Sequence, residues 1–254
     1  PYIKTNNKFE KIEWAEAYKT LAHKISQTQS DKIAAITGDM TNMETMYILK
    51  DFFEKTIKSN HLECRTENYY VNFSDRKNYI FNSTISGIEE SDFILLIGTN
   101  PRLEATILNS RIRKAFLKNK TKIISLGDVG DLTYPYSVIE NNTKAIKDIV
   151  ENKHYVSKKI NEAKKPAIII GQSVLKLKSG AYIFEEIKKF LISNNKINHE
   201  WNSLNILSNH ASTVGAYDLN IMNLNNQINT LDKINQNYFE IIFLFAQENI
   251  KIKK

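Results

Sequence analysis

Phe93-Ile94-Leu95-Leu96-Ile97-Gly98-Thr99-Asn100-Pro101 decides how this chain folds. Five consecutive apolar residues run into a glycine and then into Asn-Pro. A continuous apolar run of this length suits a strand buried on both faces, as in a parallel sheet. Glycine at its carboxyl end lets the backbone turn sharply or come close to a ligand. Asn100 is a good helix N-cap. Pro101 suits the first helical position, where an N–H would have no partner anyway. Beyond it, Leu103, Ile107, Leu108, Ile112 and Phe116 predict one apolar stripe on a helix from Asn100 to Lys118.

Working outward, the same motif recurs. Ile33 to Gly38, Ile123 to Gly127, Ala167 to Gly171 and Ile241 to Ala246 are short apolar runs ending in a glycine or another small residue. Helical spacing separates them: Met43, Met46, Leu49, Phe53 and Ile57 within Thr41 to Lys58, and Ile183, Phe184, Ile187, Phe190 and Leu191 within Gly180 to Ile192. A further helix is predicted from about Trp14 to Ser26. Strands alternating with helices give βαβ crossovers and an α/β class with mainly parallel sheets. The lysine-rich stretch Glu140 to Lys165, with two short helical segments, reads as a connector ended by Pro166. The expected division is therefore one α/β unit over residues 1–150, then the connector and a second, incomplete unit over 151–254. Asn202 to Asn237 is asparagine-rich and reads as loops with a short helix, although Leu204, Ile206 and Leu207 need burial. Ile250 to Lys254 reads as a frayed tail.

Composition narrows the chemistry. The 254 residues carry 35 basic and 28 acidic side chains, a formal charge of +7. The lysines are spread evenly and no aromatic-plus-basic platform interrupts them, so nucleic acid is not an expected partner. Abundant lysine, asparagine and isoleucine point instead to AT-rich coding, as in an organelle or a reduced endosymbiont. The single cysteine, Cys64, excludes a disulfide framework and any iron–sulfur cluster held by several thiolates of this chain. The five histidines lie far apart. No apolar run approaches the roughly 20 residues of a membrane span, and no secretory signal opens the chain. A first residue Pro1 rather than Met suggests processing or a fragment.

The sequence lacks a P-loop and a G-x-G-x-x-G fingerprint. Gly127-Asp128-Val129-Gly130 follows a strand, but its aspartate and that of Asp131 would repel a phosphate, which makes it a turn. Gly171-Gln172-Ser173-Val174-Leu175 lacks the second glycine of a nucleophile elbow. Cys64, beside Glu63 and Arg65, has little of the cationic setting that a reactive thiol needs. Gly98, Thr99 and Asn100 form the best ligand candidate, at a strand end and a helix N-terminus where amides and dipole favour anions. A plain capped helix start explains the same residues. Arg102, Arg111 and Arg113 place three of the five arginines on one helix. They suit either a solvated face or an ion-paired protein interface.

Asn82 to Asp92, Gly98-Thr99-Asn100-Pro101-Arg102-Leu103-Glu104-Ala105, Asn109 to Lys114, Asp131 to Tyr134, Glu162 to Pro166, Trp201, Asn205-Ile206-Leu207 and His210-Ala211-Ser212 occur in that order. Together they resemble the C-terminal, molybdopterin-oxidoreductase-like region of the large iron–sulfur subunit of respiratory complex I. The resemblance implies two Rossmann-like subdomains, the second truncated here. It implies a structural part of NADH:ubiquinone oxidoreductase without catalytic residues of its own, bearing at Gly98, Thr99 and Asn100 a vestige of a cofactor loop. No cofactor or metal is then expected in this chain. Iron–sulfur clusters belong to an N-terminal region that the chain lacks, or to a partner subunit. Partners would be other subunits of the peripheral arm, with Arg102, Arg111 and Arg113 as interface candidates. The expected location is the matrix side of the mitochondrial inner membrane, or the cytoplasmic face of a bacterial one.

Departures keep other readings open. No metal-ligating residue of the active molybdenum enzymes is found, and Ala246 stands where such families usually keep a glycine. One alternative is a fragment that still holds a molybdenum or tungsten pterin at Gly98, Thr99 and Asn100. Another, from Lys165 to Gly171, is the central domain of a thiamine-dependent enzyme.

Overall fold

A computed structural model describes residues 1–38, 40–64, 69–221 and 230–246. In chain order the elements are β1 (Tyr2–Thr5), β2 (Lys8–Lys11), α1 (Trp14–Gln27), β3 (Ile33–Thr37), α2 (Met43–Phe52), β4 (Leu62–Glu63) and β5 (Phe93–Ile97). Then come α3 (Pro101–Glu104), α4 (Thr106–Asn119), β6 (Lys122–Leu126), β7 (Ser137–Ile139), α5 (Thr143–Val150), α6 (Tyr155–Glu162) and β8 (Pro166–Gly171). The rest are α7 (Gln172–Leu175), α8 (Gly180–Ser193), β9 (Leu204–Leu207), α9 (Thr213–Asp218), α10 (Thr230–Asn235) and β10 (Ile241–Phe245). This is the expected α/β class with mainly parallel sheets.

The chain divides into two compact units, Asn68–Asn209 and a discontinuous one made of Pro1–Glu67 with His210–Lys254. A division at residue 150 does not follow these units. It would fall between α5 and α6, and both helices bury their apolar faces in one core with β5, β6 and β8. The stretch from Glu140 to Lys165 is therefore a pair of core helices and not a connector. Lysines dominate its composition, but Ala145, Ile146, Ile149, Val156 and Ile160 all face inward. The predicted tail Ile250 to Lys254 lies outside the described residues.

The continuous unit is built on a five-stranded, all-parallel sheet in the order β7-β6-β5-β8-β9. Every residue of β5 is buried. Side chains alternate across a strand, so Phe93, Leu95 and Ile97 enter one core with α5, α6 and α8. Ile94 and Leu96 enter the other with Leu108 and Ile112 of α4. After β5 the chain steps to β6 and β7 on one side, then crosses back to β8 and β9 on the other. That reversal covers both faces with helices, as in a doubly wound fold. β9 lies where loops were predicted. Its burial is complete, but four residues among asparagines give too short a period to read.

The predicted helix from Asn100 breaks at Ala105, whose φ of −151° and ψ of 71° are not helical. The break puts α3 and α4 out of phase. Leu108, Ile112 and Ala115 are buried, whereas Leu103 and Ile107 are exposed and do not share their stripe.

In the discontinuous unit a parallel sheet runs β10-β3-β4, with Ile33 opposite Ile241 and Ala35 opposite Leu62. Met46, Leu49 and Phe53 pack with Ile33, Ala35 and Ala216 on it. α2 passes into a π turn over Phe53–Ile57 and stops at Lys58, which takes a left-handed φ of 61°. β1 and β2 form an antiparallel hairpin.

Candidate functional site

The reversal between β5 and β8 makes the carboxyl ends of these two strands the place where a doubly wound sheet opens a crevice for a ligand. The loop from Gly98 and the start of α7 stand there. Gly98 has φ of 58°, a conformation that suits glycine. A Cβ on Gly98 would run into Val174 Cγ2 and lie 2.8 Å from Ser173 Oγ. A Cβ on Gly171 would run into the Gly98 carbonyl oxygen and lie 2.8 Å from Thr99 Cβ. The Ser173 hydroxyl donates to the Gly98 carbonyl. The two glycines thus let the loops close on each other, and the room a side chain would need is filled by the neighbouring loop.

Several polar groups of the loop are engaged as well. The Asn100 side-chain oxygen accepts the amides of Arg102 (3.0 Å) and Leu103 (3.2 Å). This is the predicted cap. Its side-chain nitrogen donates to the Val129 carbonyl at 2.7 Å, tying this loop to the one after β6. The Glu104 carboxylate folds back, accepting the Asn100 amide at 3.1 Å and the Thr99 hydroxyl at 2.8 Å. A helix N-terminus attracts an anion, and here the anion is Glu104. The residue stands four places after the cap, a spacing near that of a capping box. That is the signal by which sequence reasoning could have found it.

Gly127 to Gly130 is a turn, as predicted. The Asp128 carboxylate accepts the Gly130 amide at 2.8 Å and the Tyr136 hydroxyl at 2.7 Å, and these bonds hold its carboxyl below the usual aspartate value. The Gly130 amide of this loop is thus already bonded to a carboxylate.

The three arginines are not brought together. Arg102 reaches the Asp131 carbonyl at 2.9 Å and its carboxylate. Arg111 pairs with Glu89, which also holds Lys114. Arg113 is exposed on α4.

Sequence reasoning missed what the motif residues do. They bind one another. Asn205, fully buried, accepts the Ser83 amide at 2.7 Å and donates to the Ser83 hydroxyl and the Ser203 carbonyl. Asp92 accepts the amides of Lys164 and Lys165 at 2.7 and 2.9 Å. Asn109 donates to the Leu132 carbonyl and accepts the Tyr134 hydroxyl at 2.7 Å, inside the core. The Trp201 indole donates to the Pro166 carbonyl at 2.7 Å. These side chains stitch together segments distant in sequence.

The discontinuous unit has a strand-end cleft of its own, of about 230 Å³, lined among others by Met40, Thr41, Met43, Met46, Ser212 and Gly215. Ligand pockets are commonly 300–1,000 Å³. The Ser212 hydroxyl donates to the Gly38 carbonyl, and the Asn42 side chain caps α2 by accepting the Thr45 amide. Ala246, after β10, takes a φ of 47°, the turn a glycine would make, with a methyl group in place. Among the described residues no group of three or more histidine, cysteine, aspartate or glutamate side chains is placed to hold a metal ion. No helix among them is long and apolar enough to cross a membrane.

The whole chain, residues 1–254, matches the family model described as molybdopterin oxidoreductase. It is similar to an NADH-quinone oxidoreductase subunit from Rickettsia prowazekii (strain Madrid E), 38% identical over 219 residues, covering 86% of this chain and 32% of that one. It is similar to the NADH-ubiquinone oxidoreductase 75 kDa subunit of Reclinomonas americana, 34% identical over 268 residues, covering 100% of this chain and 38% of that one. The mitochondrial NADH-ubiquinone oxidoreductase 78 kDa subunit of Candida albicans is 37% identical over 223 residues, covering 86% and 31%. The chain spans about a third of the length of these curated relatives.

Proposed function

The chain belongs to the molybdopterin oxidoreductase family, and from that premise we propose that it is a non-catalytic structural part of an NADH:quinone oxidoreductase. It supports electron transfer that takes place in iron–sulfur parts outside this chain. The relatives' names carry the choice of enzyme. The occupied crevice carries the rest.

The residues present do not fit the nucleotide arm of a pterin cofactor. Such an arm needs open amides and a glycine surface. Glu104 accepts the Asn100 amide, Asn100 caps the next two, and Gly98 and Gly171 face each other. A phosphate would have to displace a carboxylate already bonded at that helix start. The cleft at the other strand ends is small and lined by three thioethers. Motif side chains bonded to one another, as Asn205 is to Ser83, support a scaffold as their purpose. Of the three arginines, Arg113 is the interface candidate, while Arg102 and Arg111 hold local structure. The location we propose is the matrix side of a mitochondrial inner membrane, or the cytoplasmic side of a bacterial one.

Affinity purification of the full chain from membranes tests the reading. NADH:quinone oxidoreductase activity should co-purify with it, and elemental analysis of the isolated chain should find neither molybdenum nor tungsten. Stoichiometric metal would replace this reading with that of a cofactor-holding fragment.

A further inference from the structure

The first 27 residues make a hairpin and a helix that carry aromatic side chains outward. α1 is 14 residues long, and none of them is buried. Isolated helices of that length are marginal in water, and helices in proteins gain most of their stability by packing an apolar face. Trp14, Tyr18 and Leu21 lie along one stripe of α1 and are all exposed, Trp14 and Tyr18 by more than half, with their rings stacked at 5.6 Å. Ile25, further along the stripe, packs against the core of its unit and anchors the helix. In the hairpin, Tyr2 pairs with Lys11 and Lys4 with Phe9. Residues directly opposite share a face, so Tyr2, Lys4, Phe9 and Lys11 lie together. Both rings are about 70% exposed. A two-stranded hairpin without cover is at best marginally stable.

We propose that the aromatic stripe of α1 and the Tyr2–Phe9 face of the hairpin form a protein-docking surface. The partner is an apolar protein surface rimmed by carboxylates, supplied by the part of the oxidoreductase that lies outside this chain. The inference rests on the function proposed above and names the surface it would use. Charge complementarity fixes the partner's chemistry. Both charged residues on the hairpin's aromatic face are lysines. Tyrosine and tryptophan are the residues that anchor protein interfaces. The relatives extend over roughly twice as much further chain as this one spans, which is ample to supply the partner. An anionic membrane is a poorer match. Glu10, Glu13 and Glu16 stand among the lysines of this segment, whereas lipid-binding segments carry clustered cations.

Hydroxyl-radical footprinting of the full chain, read at Trp14 and Tyr18, tests this in the free protein and in the purified oxidoreductase, with Trp201 as internal reference. Oxidation of Trp14 and Tyr18 should slow about tenfold in the assembly. The doubly substituted Trp14→Glu, Tyr18→Glu chain should keep its own unfolding midpoint, because both residues are exposed, and should lose about tenfold or more in incorporation. Equal oxidation rates in a chain that is present in the assembly overturn the docking surface and leave the functional reading intact. A chain absent from the assembly overturns both. Protection of the free chain by vesicles of phosphatidylcholine and phosphatidylglycerol, or by raising its own concentration, assigns the face to lipid or to a second copy and overturns the partner named here.

Discussion

Replacing Gly171 by alanine tests the closed crevice directly. Gly171 has φ of −84° and ψ of 159°, a conformation open to any residue. The substitution therefore carries no backbone strain, and through the unfolded state alone it would stabilise by about 0.4–1 kcal/mol. Against that stands the added methyl group. It would collide with the Gly98 carbonyl oxygen, lie 2.8 Å from Thr99 Cβ and sit 3.0 Å from the Gly98 carbonyl carbon. Two of these atoms are backbone, fixed by β5 pairing with β6 and β8, so they cannot swing aside as the end of a side chain could. Overpacking of this kind costs about 1–3 kcal/mol, and the upper end applies here. The net expectation is a loss of roughly 2 kcal/mol, or about 5–8 °C in the unfolding midpoint of a unit this size. In a Trp14→Phe background the remaining tryptophan, Trp201, reports the unit that contains Gly171, since its indole is bonded to the start of β8. A midpoint equal to or above that of the parent would refute the reasoning. It would mean that the loops stand apart and that the crevice has room for a ligand.

Other expectations follow from single contacts. Glu104→Ala should cost about 1 kcal/mol in urea denaturation, the value of a helix-start cap, and Glu104→Gln should recover most of it. Asn205→Leu should cost about 1–3 kcal/mol, because the Ser83 amide loses its partner inside the fold; an unchanged urea midpoint would contradict this. Burial, and then the nearby Lys233 cation, push the His61 imidazole below its ordinary pKa, with Asp31 opposing. The folded state then binds fewer protons than the unfolded one. Stability held above about pH 6.5 should fall as the pH drops through the folded value, and His61→Gln should flatten that acid limb of a midpoint-against-pH curve. Ala246→Gly should raise the stability measured by urea denaturation slightly, by up to about 1 kcal/mol, since a left-handed alanine is strained by about that much.

Four of the five apolar runs are legible because strands buried on both faces leave an uninterrupted signature; the fifth, Ile241 to Ala246, pairs as a strand but is only partly buried, with Leu244 half exposed. Phe93 to Ile97 and Ala167 to Ile170 needed no context. Asn100 and Pro101 were equally plain, since a cap and a first helical position are local chemistry. What failed depended on distance. Nothing in the sequence near Ala105 announces a break in the helix, and Leu103 continues the stripe on paper. The division at residue 150 followed local composition, whereas the units follow pairings such as Ile33 with Ile241 that no local signal carries. At the candidate site, Gly98, Thr99 and Asn100 were found. Their closure by Glu104, Ser173 and Val174 was not, because two of those three come from a strand end some seventy residues later. The family-like motifs were recognised as an ordered set, yet their meaning is pairwise and three-dimensional, as with Asp92 under the amides of Lys164 and Lys165.

The discontinuous unit has a consequence for how the protein is made. β3 takes β10 as a full-length neighbour, and the whole of the other unit intervenes between them. During synthesis β3 waits with only the two-residue β4 beside it, exposing a strand edge that invites pairing with another nascent chain. The continuous unit, complete by residue 209, is free to fold meanwhile. Slow elongation past residue 209, or a lesion that delays the continuous unit, would therefore show first as aggregation seeded at Ile33 to Thr37, in the unit that does not carry the damage.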